Sequence, residues 1–481
     1  MTILIKQAQI VDGSGKKPFR ADILIRDQKI SAIGSFPRKK ADLTIDALGM
    51  IAAPGFIDVN SDSDHHLSLF TYPSQTDFIN QGVTTIIGGQ CGASLAPLMY
   101  GSLASIREWA YSDSVNVDWR TIKELFAVLN KIKLKVRFET LAGHLTIRND
   151  IVGNDSRDLT DSEMQVFNKV LEEALNQGAL GMSTSLGSIY GKNTSFSEIK
   201  DLIKLVAKKN KVYTTHLRNE KEDLVKSVKE TISMAHETGA KTIISHFRPI
   251  AGYENNFREA LELIDKSLTD ANIYFDANPF DISLLPIYAL LPSWAQTQGP
   301  EAALKYLDDP NIKSRLIKEM AGLQLGELTV VDAEKQGHLA GKNLEELAKN
   351  RSENIVEFVM NLMRTTKFRT ILAAQNIDYP LLMDMLFHPR ALIGSNGASM
   401  PDSPGRVKLE RATSTFIKFI EIARERNIPI EDAVKRITFI PAQIFGLSGR
   451  GMIREGYAAD IVLLKDFKVN QVVINGNIAN V

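Results

Sequence analysis

Two short apolar, β-branched runs end in histidine. Val212-Tyr-Thr-Thr leads into His216, and Thr242-Ile-Ile-Ser leads into His246. A third run, Val83-Thr-Thr-Ile-Ile, is followed by Gly88-Gly-Gln and Cys91, the only cysteine among 481 residues. A thiolate and two imidazoles, with a fourth position left open, are the donor set of a catalytic zinc site. Taken singly each has a plain structural reading. A buried cysteine is often a small hydrophobe, and a histidine at a strand end is often a hydrogen-bonding residue. The shared placement of all three, just past a strand, is what points to one metal. Two further strand ends carry polar groups: Ile57-Asp-Val leads to Asn60, and Ala391-Leu-Ile-Gly-Ser leads to Asn396.

Such an arrangement needs elements that bring several strand ends to one side. The middle of the chain has the pattern for it. Strand candidates Ile57–Val59, Val83–Ile87, Leu134–Leu141, Ala179–Ser183, Val212–Thr215, Thr242–Ser245, Ile273–Ala277, Thr370–Ala374 and Ala391–Ser395 alternate with helical patterns such as Asp161–Gln177, Phe196–Lys209 and Asp223–Thr238. Gly178 and Gly239 stand just past two of these helices, as stop signals do. This rhythm predicts βα units and a parallel sheet, with chemistry at the carboxyl ends of the strands. Nine candidates are one too many for an eight-stranded barrel, so either Ile273–Ala277 or Thr370–Ala374 is expected outside it; on rhythm alone a doubly wound sheet also fits. A mostly helical insertion is expected over about 285–365. The first fifty and last thirty residues read as short strands between turns, which predicts one small β domain built from residues 1–52 and 445–481, with 53–444 forming the α/β part.

Composition bounds the function. Lys plus Arg and Asp plus Glu are both 57, for a formal net charge of zero. That argues against a nucleic-acid or polybasic membrane partner. No apolar run approaches the roughly 20 residues of a membrane span. The opening MTILIKQAQIVDGSGKK has no apolar core of the signal-peptide kind. A cytoplasmic protein is the expectation, with the oligomeric state, a homo-oligomer included, left open.

Several stretches carry a resemblance. Ala53-Pro-Gly-Phe-Ile-Asp58, Gln81-Gly-Val-Thr-Thr85, Cys91-Gly-Ala-Ser-Leu-Ala-Pro97, Gly143-His-Leu-Thr-Ile-Arg148, Thr215-His-Leu-Arg-Asn-Glu220 and Ile244-Ser-His246 run in order, and Gly451-Met-Ile-Arg-Glu-Gly-Tyr-Ala-Ala-Asp-Ile-Val462 closes them. The chain resembles the amidohydrolase superfamily and, within it, the N-acyl-D-amino-acid deacylase (D-aminoacylase) family. The resemblance implies a zinc-bearing (β/α)8, TIM-like barrel with a small β-sandwich domain from both termini. It also implies hydrolysis of the C–N amide bond of a small, carboxylate-bearing N-acyl amino acid. The family's tight zinc ligands map onto Cys91, His216 and His246, and one zinc ion per chain is expected. Arg248 falls where the family places a basic side chain toward substrate. Tyr190, Arg148 and Ser283 fall in segments that line the family's pocket.

Two departures weigh against full activity. Where the family has His-x-His on the first strand, this chain has Asn60-Ser-Asp62. Where it has its general acid/base aspartate, in Gly-Ser-Asp-Gly, this chain has Gly394-Ser-Asn396-Gly397. An amide has no useful basicity near neutral pH. General acid–base catalysis contributes about 10²–10⁴-fold. Asn60, Asp62 and Asp64 would share one face of an extended strand, so Asp62 or Asp64 is a candidate substitute base or ligand. Two readings follow: a hydrolase of altered or weak activity, and an inactive pseudoenzyme that keeps zinc for structure or ligand binding.

Overall fold

The computed structural model describes residues 1–106, 115–153, 155, 157–188, 190–296 and 299–479, so residues 297–298 of the expected insertion lie outside it. Six strands form one parallel sheet in the spatial order Ala142–Gly143, Gly181–Ser185, Val212–His216, Lys241–Ile244, Ile273–Ala277 and Ala391–Ile393. Phe56–Asp58, Val83–Gly88 and Arg137–Thr140 form a second parallel sheet. Only Leu141 separates Arg137–Thr140 from Ala142–Gly143. At the other edge the Asn396 N–H donates to the Asn60 carbonyl at 2.7 Å, and Ser61 bridges Gly397 in parallel. The strands thus divide into two sheets where one continuous barrel sheet was expected, with a few hydrogen bonds joining them at the seams. Val83–Gly88 and Gly181–Ser185 are buried at every position, as strands covered on both faces are.

The helices between them start and stop by local chemistry. Thr121 with Glu124, and Thr160 with Glu163, form reciprocal capping boxes at the starts of Ile122–Lys131 and Asp161–Asn176. Ser195 caps Phe196–Lys208, and Gly239 in the left-handed region ends Leu224–Thr238.

Of the two disputed strands, Ile273–Ala277 lies inside the parallel sheet. Thr370–Gln375 lies outside, paired antiparallel with Ile282–Pro286 and Thr329–Ala333. The expected insertion therefore carries a three-stranded sheet as well as helices such as Pro310–Met320 and Ile355–Thr365, around an apolar cluster of its own. Of its three strands only Thr370–Gln375 was read from the sequence; Ile282–Pro286 and Thr329–Ala333 are five residues each and lie next to helix-rich stretches.

The two termini share one mixed eight-stranded sheet, not the two stacked sheets expected of a sandwich. The cause is the nine-residue strand Thr2–Ile10. It is long enough to pair Phe19–Arg26 on one edge and both Leu43–Asp46 and Ile51–Pro54 on the other, with a bulge between Ile5 and Ala8. Ile51–Pro54 then pairs Ile461–Lys465 and draws the two chain ends together. No helix among the described residues is long and apolar enough to cross a membrane.

A buried polar joint ties this sheet to the parallel strands. The Arg137 Nε donates to Asp460 Oδ2 at 2.7 Å, the Asn475 N–H donates to Asp460 Oδ1 at 2.7 Å, and the Arg137 Nη2 donates to Asn475 Oδ1 at 2.7 Å. Hydrogen bonds to charged groups contribute about 1.5–3 kcal/mol each, and a stranded buried partner costs more. Asp460→Ala should lower the unfolding free energy by roughly 2–4 kcal/mol in chemical denaturation; a loss within the noise of a surface substitution would show that the joint carries no load.

Candidate metal centre

Cys91, His216 and His246 come together. One ligand atom from each lies within 4.8 Å of the other two. The Cys91 Sγ is 3.4 Å from His246 Nε2, and the two imidazoles meet edge to face with centroids 4.5 Å apart. Tetrahedral zinc, with Zn–S of ~2.3 Å and Zn–N of ~2.0–2.1 Å, sets an S···N edge of roughly 3.5 Å. The donor set fits that ion.

The backbone places these groups by an unusual conformation. Cys91 has φ 50°, His246 φ 39° and Asn396 φ 46°. Non-glycine residues adopt the left-handed region rarely, and it concentrates at functional sites. Each of these residues follows a parallel strand, and Cys91 and His246 meet over the strand ends. Gly89, at φ 71°, permits the first turn; a Cβ there would lie 2.3 Å from the Leu141 carbonyl oxygen.

Glu220 organises the cluster from outside. Its Oε1 lies 3.1 Å from His246 Nδ1, its Oε2 lies 3.9 Å from His216 Nε2, and the Arg248 Nη2 donates to Oε2 at 3.0 Å. Held this way, His246 donates from Nδ1 and turns Nε2 toward the thiol. Such outer carboxylates fix the tautomer and raise ligand basicity. Burial disfavours the charge on Glu220, but Arg248 and the two imidazoles hold its carboxyl well below the usual range. Burial likewise opposes ionisation of Cys91, yet His246 and His216 bring its thiol down to about 6. His246 is pushed up to about 10: burial lowers it, and the Cys91 thiolate and Glu220 outweigh burial. Without a cation, thiolate and imidazolium titrate as a pair; a bound metal displaces the imidazole proton.

The first-strand positions are engaged elsewhere. The chain leaves its strand at Asp58, and the Asn60 N–H folds back on Asp58 Oδ1 at 3.1 Å. Positions 60, 62 and 64 therefore do not share the strand face expected of them. The Asn60 Nδ2 donates to Asp276 at 3.1 and 3.3 Å, and Asp276 also accepts the His246 N–H at 3.0 Å. Burial raises Asp276 to about 6, against the pull of His246 and Asn60. Asp62 lies 3.5 Å from His65 Nδ1 and 3.7 Å from Arg411 Nη2; burial raises its pKa, and His65 and Arg411 bring it below the ordinary value. Asp64 is fully buried, and its Oδ2 accepts the Gly89 N–H at 2.6 Å.

The remaining expected residues are dispersed. Arg248 joins the Cys91–His216–His246 cluster through Glu220, while Asp281 binds Gln375 and Asp276 binds the Asn60–His246 pair. Tyr190 is half-buried in the turn after Gly181–Ser185, a turn in which Gly187 packs against the His216 ring. Arg148 sits in the helix His144–Val152, and its guanidinium is taken up by Glu198 and the carbonyls of Asp155 and Arg157. Ser283 lies on the insertion sheet and donates to Asn376 Oδ1 at 2.6 Å. Its neighbour Leu284 lines a cavity of about 380 Å³ that also borders Asp62 and Gly397, next to Asn396. Two residues of the site were given no role from the sequence. Glu220 stood four residues after His216, and Asp276 near the end of a strand; an acid in either position was a signal.

The sequence profile of the amidohydrolase family matches residues 43–478. A D-aminoacylase of Alcaligenes xylosoxydans xylosoxydans is 27% identical, covering 96% of this chain and 87% of the relative. An N-acyl-D-glutamate deacylase of the same organism is 26% identical, over 96% and 87%. Among solved structures, an N-acyl-D-glutamate deacylase of Bordetella bronchiseptica, complexed with zinc and a phosphonate inhibitor, superposes with a TM-score of 0.82 at 24% identity, covering 99% of this chain and 96% of that one. A D-aminoacylase crystal structure gives a TM-score of 0.80 at 25% identity over the same shares.

Zinc titration of the metal-free protein should saturate near one ion per chain. Glu220→Gln should weaken that affinity by roughly 10- to 100-fold, the usual cost of losing such a partner, while Cys91→Ser should cost more. Stoichiometry near two would mean that Asp62 or Asp276 rebuilds a second site.

Proposed function

We propose, since the chain belongs to the amidohydrolase family, that it is a zinc-dependent hydrolase of the amide bond in N-acyl amino acids or related small amides, holding one ion and turning over slowly. The Cys91–His216–His246 cluster, with Glu220 behind it, carries the reading. In the same reading the two parallel sheets act as one eight-stranded barrel spanning 53–444, with residues 1–52 and 445–481 as a separate β domain.

Cys91, His216 and His246 would hold the metal. When bound, zinc supplies Lewis acidity, which polarises an amide carbonyl and acidifies water. Glu220 orients His246, and Arg248 keeps Glu220 ionised. The Asn60 amide is spent on Asp276 and the Asp62 carboxylate on His65 and Arg411. This supports a single ion. Asn396 occupies the turn where a proton acceptor would stand, and its amide can donate or accept a hydrogen bond but cannot take a proton. The missing contribution is about 10²–10⁴-fold, or roughly 3–5 kcal/mol of barrier. The same residue favours the second reading, a protein that binds zinc and ligand without turnover.

Asn396→Asp should raise kcat on N-acyl-D-amino acids by about 10²-fold or more. Adding Asn60→His and Asp62→His should change it non-additively, because ligands and base act as a unit. Strong wild-type turnover that persists in Asp62→Ala and Asp64→Ala would refute this account. A silent Asn396→Asp variant that still binds zinc would decide for the non-catalytic reading.

A further inference from the structure

His246 stands in a backbone conformation that side chains resist. Its φ of 39° lies in the left-handed region, and residues persist there only where the surroundings over-determine them. Two of the bonds that fix it come from one residue. The Asp276 carbonyl accepts the Phe247 N–H at 2.9 Å, and Asp276 Oδ1 accepts the His246 N–H at 3.0 Å. Asp276 is buried near the end of Ile273–Ala277, the strand beside Lys241–Ile244.

A buried carboxylate in turn needs donors to hold its place. Among the described residues Asp276 has one side-chain donor, Asn60, whose Nδ2 spans both oxygens at 3.1 and 3.3 Å. The last parallel strand lies between the two. Ala391–Ile393 pairs Ile273–Ala277, and its continuation at Asn396 and Gly397 pairs Asn60 and Ser61. Glycine at 394 leaves room for the crossing, since a Cβ there would lie 2.8 Å from the Asn60 Cβ. The Asn60 backbone is fixed too, its N–H on Asp58 Oδ1 and its carbonyl under the Asn396 N–H. Asn60 thus links the left-handed turns at 246 and 396.

We propose that Asn60 is a positioning residue for zinc: by donating to Asp276 it holds the carboxylate that sets the His246 backbone, and with it the aim of that imidazole at the metal. The proposal rests on the zinc reading above, independently of turnover. It goes beyond that reading by giving position 60, where resemblance leads one to expect a metal-binding histidine, the work of a brace. A histidine placed there would remove the amide that spans both carboxylate oxygens. Restoring the expected residue at 60 alone should therefore weaken the existing site.

Zinc and cobalt(II) titrations of the metal-free protein test this. Cobalt bound to a thiolate absorbs in a charge-transfer band that follows its coordination geometry. Asn60→Ala should weaken both ions by about tenfold or more, as losing a partner of a metal ligand does, and should alter the cobalt spectrum. Asp276→Asn keeps an acceptor for the His246 N–H and leaves no carboxylate without donors. In that background Asn60→Ala should cost no more than about threefold, the sign that the two residues act as a pair. A packing role alone would lower the melting temperature of the metal-free protein in both backgrounds, with affinity and spectrum unmoved; that result would overturn the proposal. If Asn60→Ala does not fold, Asn60→His decides. It should weaken the first ion by about tenfold or more, and wild-type affinity in that variant would overturn the proposal and leave the zinc reading standing. A wild-type chain that binds neither ion would remove both.

Discussion

Glu220 is the buried carboxylate on which the open end of the strands depends. It takes the Nδ1 side of His246, faces His216 and holds Arg248. Three positively charged or polarisable groups would otherwise crowd one space without that counter-charge. Breaking a buried charge pair by removing one member is far more damaging than never having it. The same carboxylate also settles which imidazole nitrogen faces the thiol, so position and protonation are fixed by one residue.

Around that centre the chain has rebuilt its polar contacts. Where two histidines would be expected by resemblance, the Asn60 Nδ2 and the Asp62 carboxylate have protein partners. Asp58 lies fully buried under Ser395, whose N–H and hydroxyl donate to it at 2.9 and 2.5 Å, while burial raises it to about 7. Asn60 and Asp276 extend this network to the His246 backbone. Not every buried polar atom here is paired: Asn60 Oδ1, Asp64 Oδ1, Ser245 Oγ, Arg248 Nε and Arg411 Nε lack hydrogen-bond partners. The insertion takes part as well. The Val407 N–H donates to the Val331 carbonyl at 2.9 Å, so the loop after the last strand docks on the insertion sheet and both shape the cavity together.

The convergence of Cys91, His216 and His246 was legible because the strands that carry them are short, continuous and apolar, so their ends are easy to locate. Reading Val212–Thr215 and Thr242–Ser245 to within a residue was enough to put His216 and His246 side by side. The turn after Asp58 was not legible. Its course depends on the Asn60 N–H returning to Asp58, and no period in the sequence records that bond. Glu220 was overlooked because it belongs to a loop, where spacing sets no direction. Thr370–Gln375 misled because an antiparallel strand of an insertion has the same composition as a parallel strand of the main sheet. Arg148 misled for a related reason: the motif placed it correctly along the chain, while Glu198 and two carbonyls decided where its guanidinium went.

The left-handed turn at Asn396 has a consequence for how this chain relates to its family. Among side-chain-bearing residues, asparagine and aspartate are the ones that tolerate this conformation with little penalty. The backbone therefore filters what can stand at 396, and it passes the amide and the acid alike. The two are isosteric, so the exchange leaves no scar in the turn, in the bond from its N–H to Asn60, or in the packing below. An aspartate at 396 and the present asparagine would differ by one heavy atom, an oxygen for a nitrogen. A backbone comparison, however close, is blind to that difference.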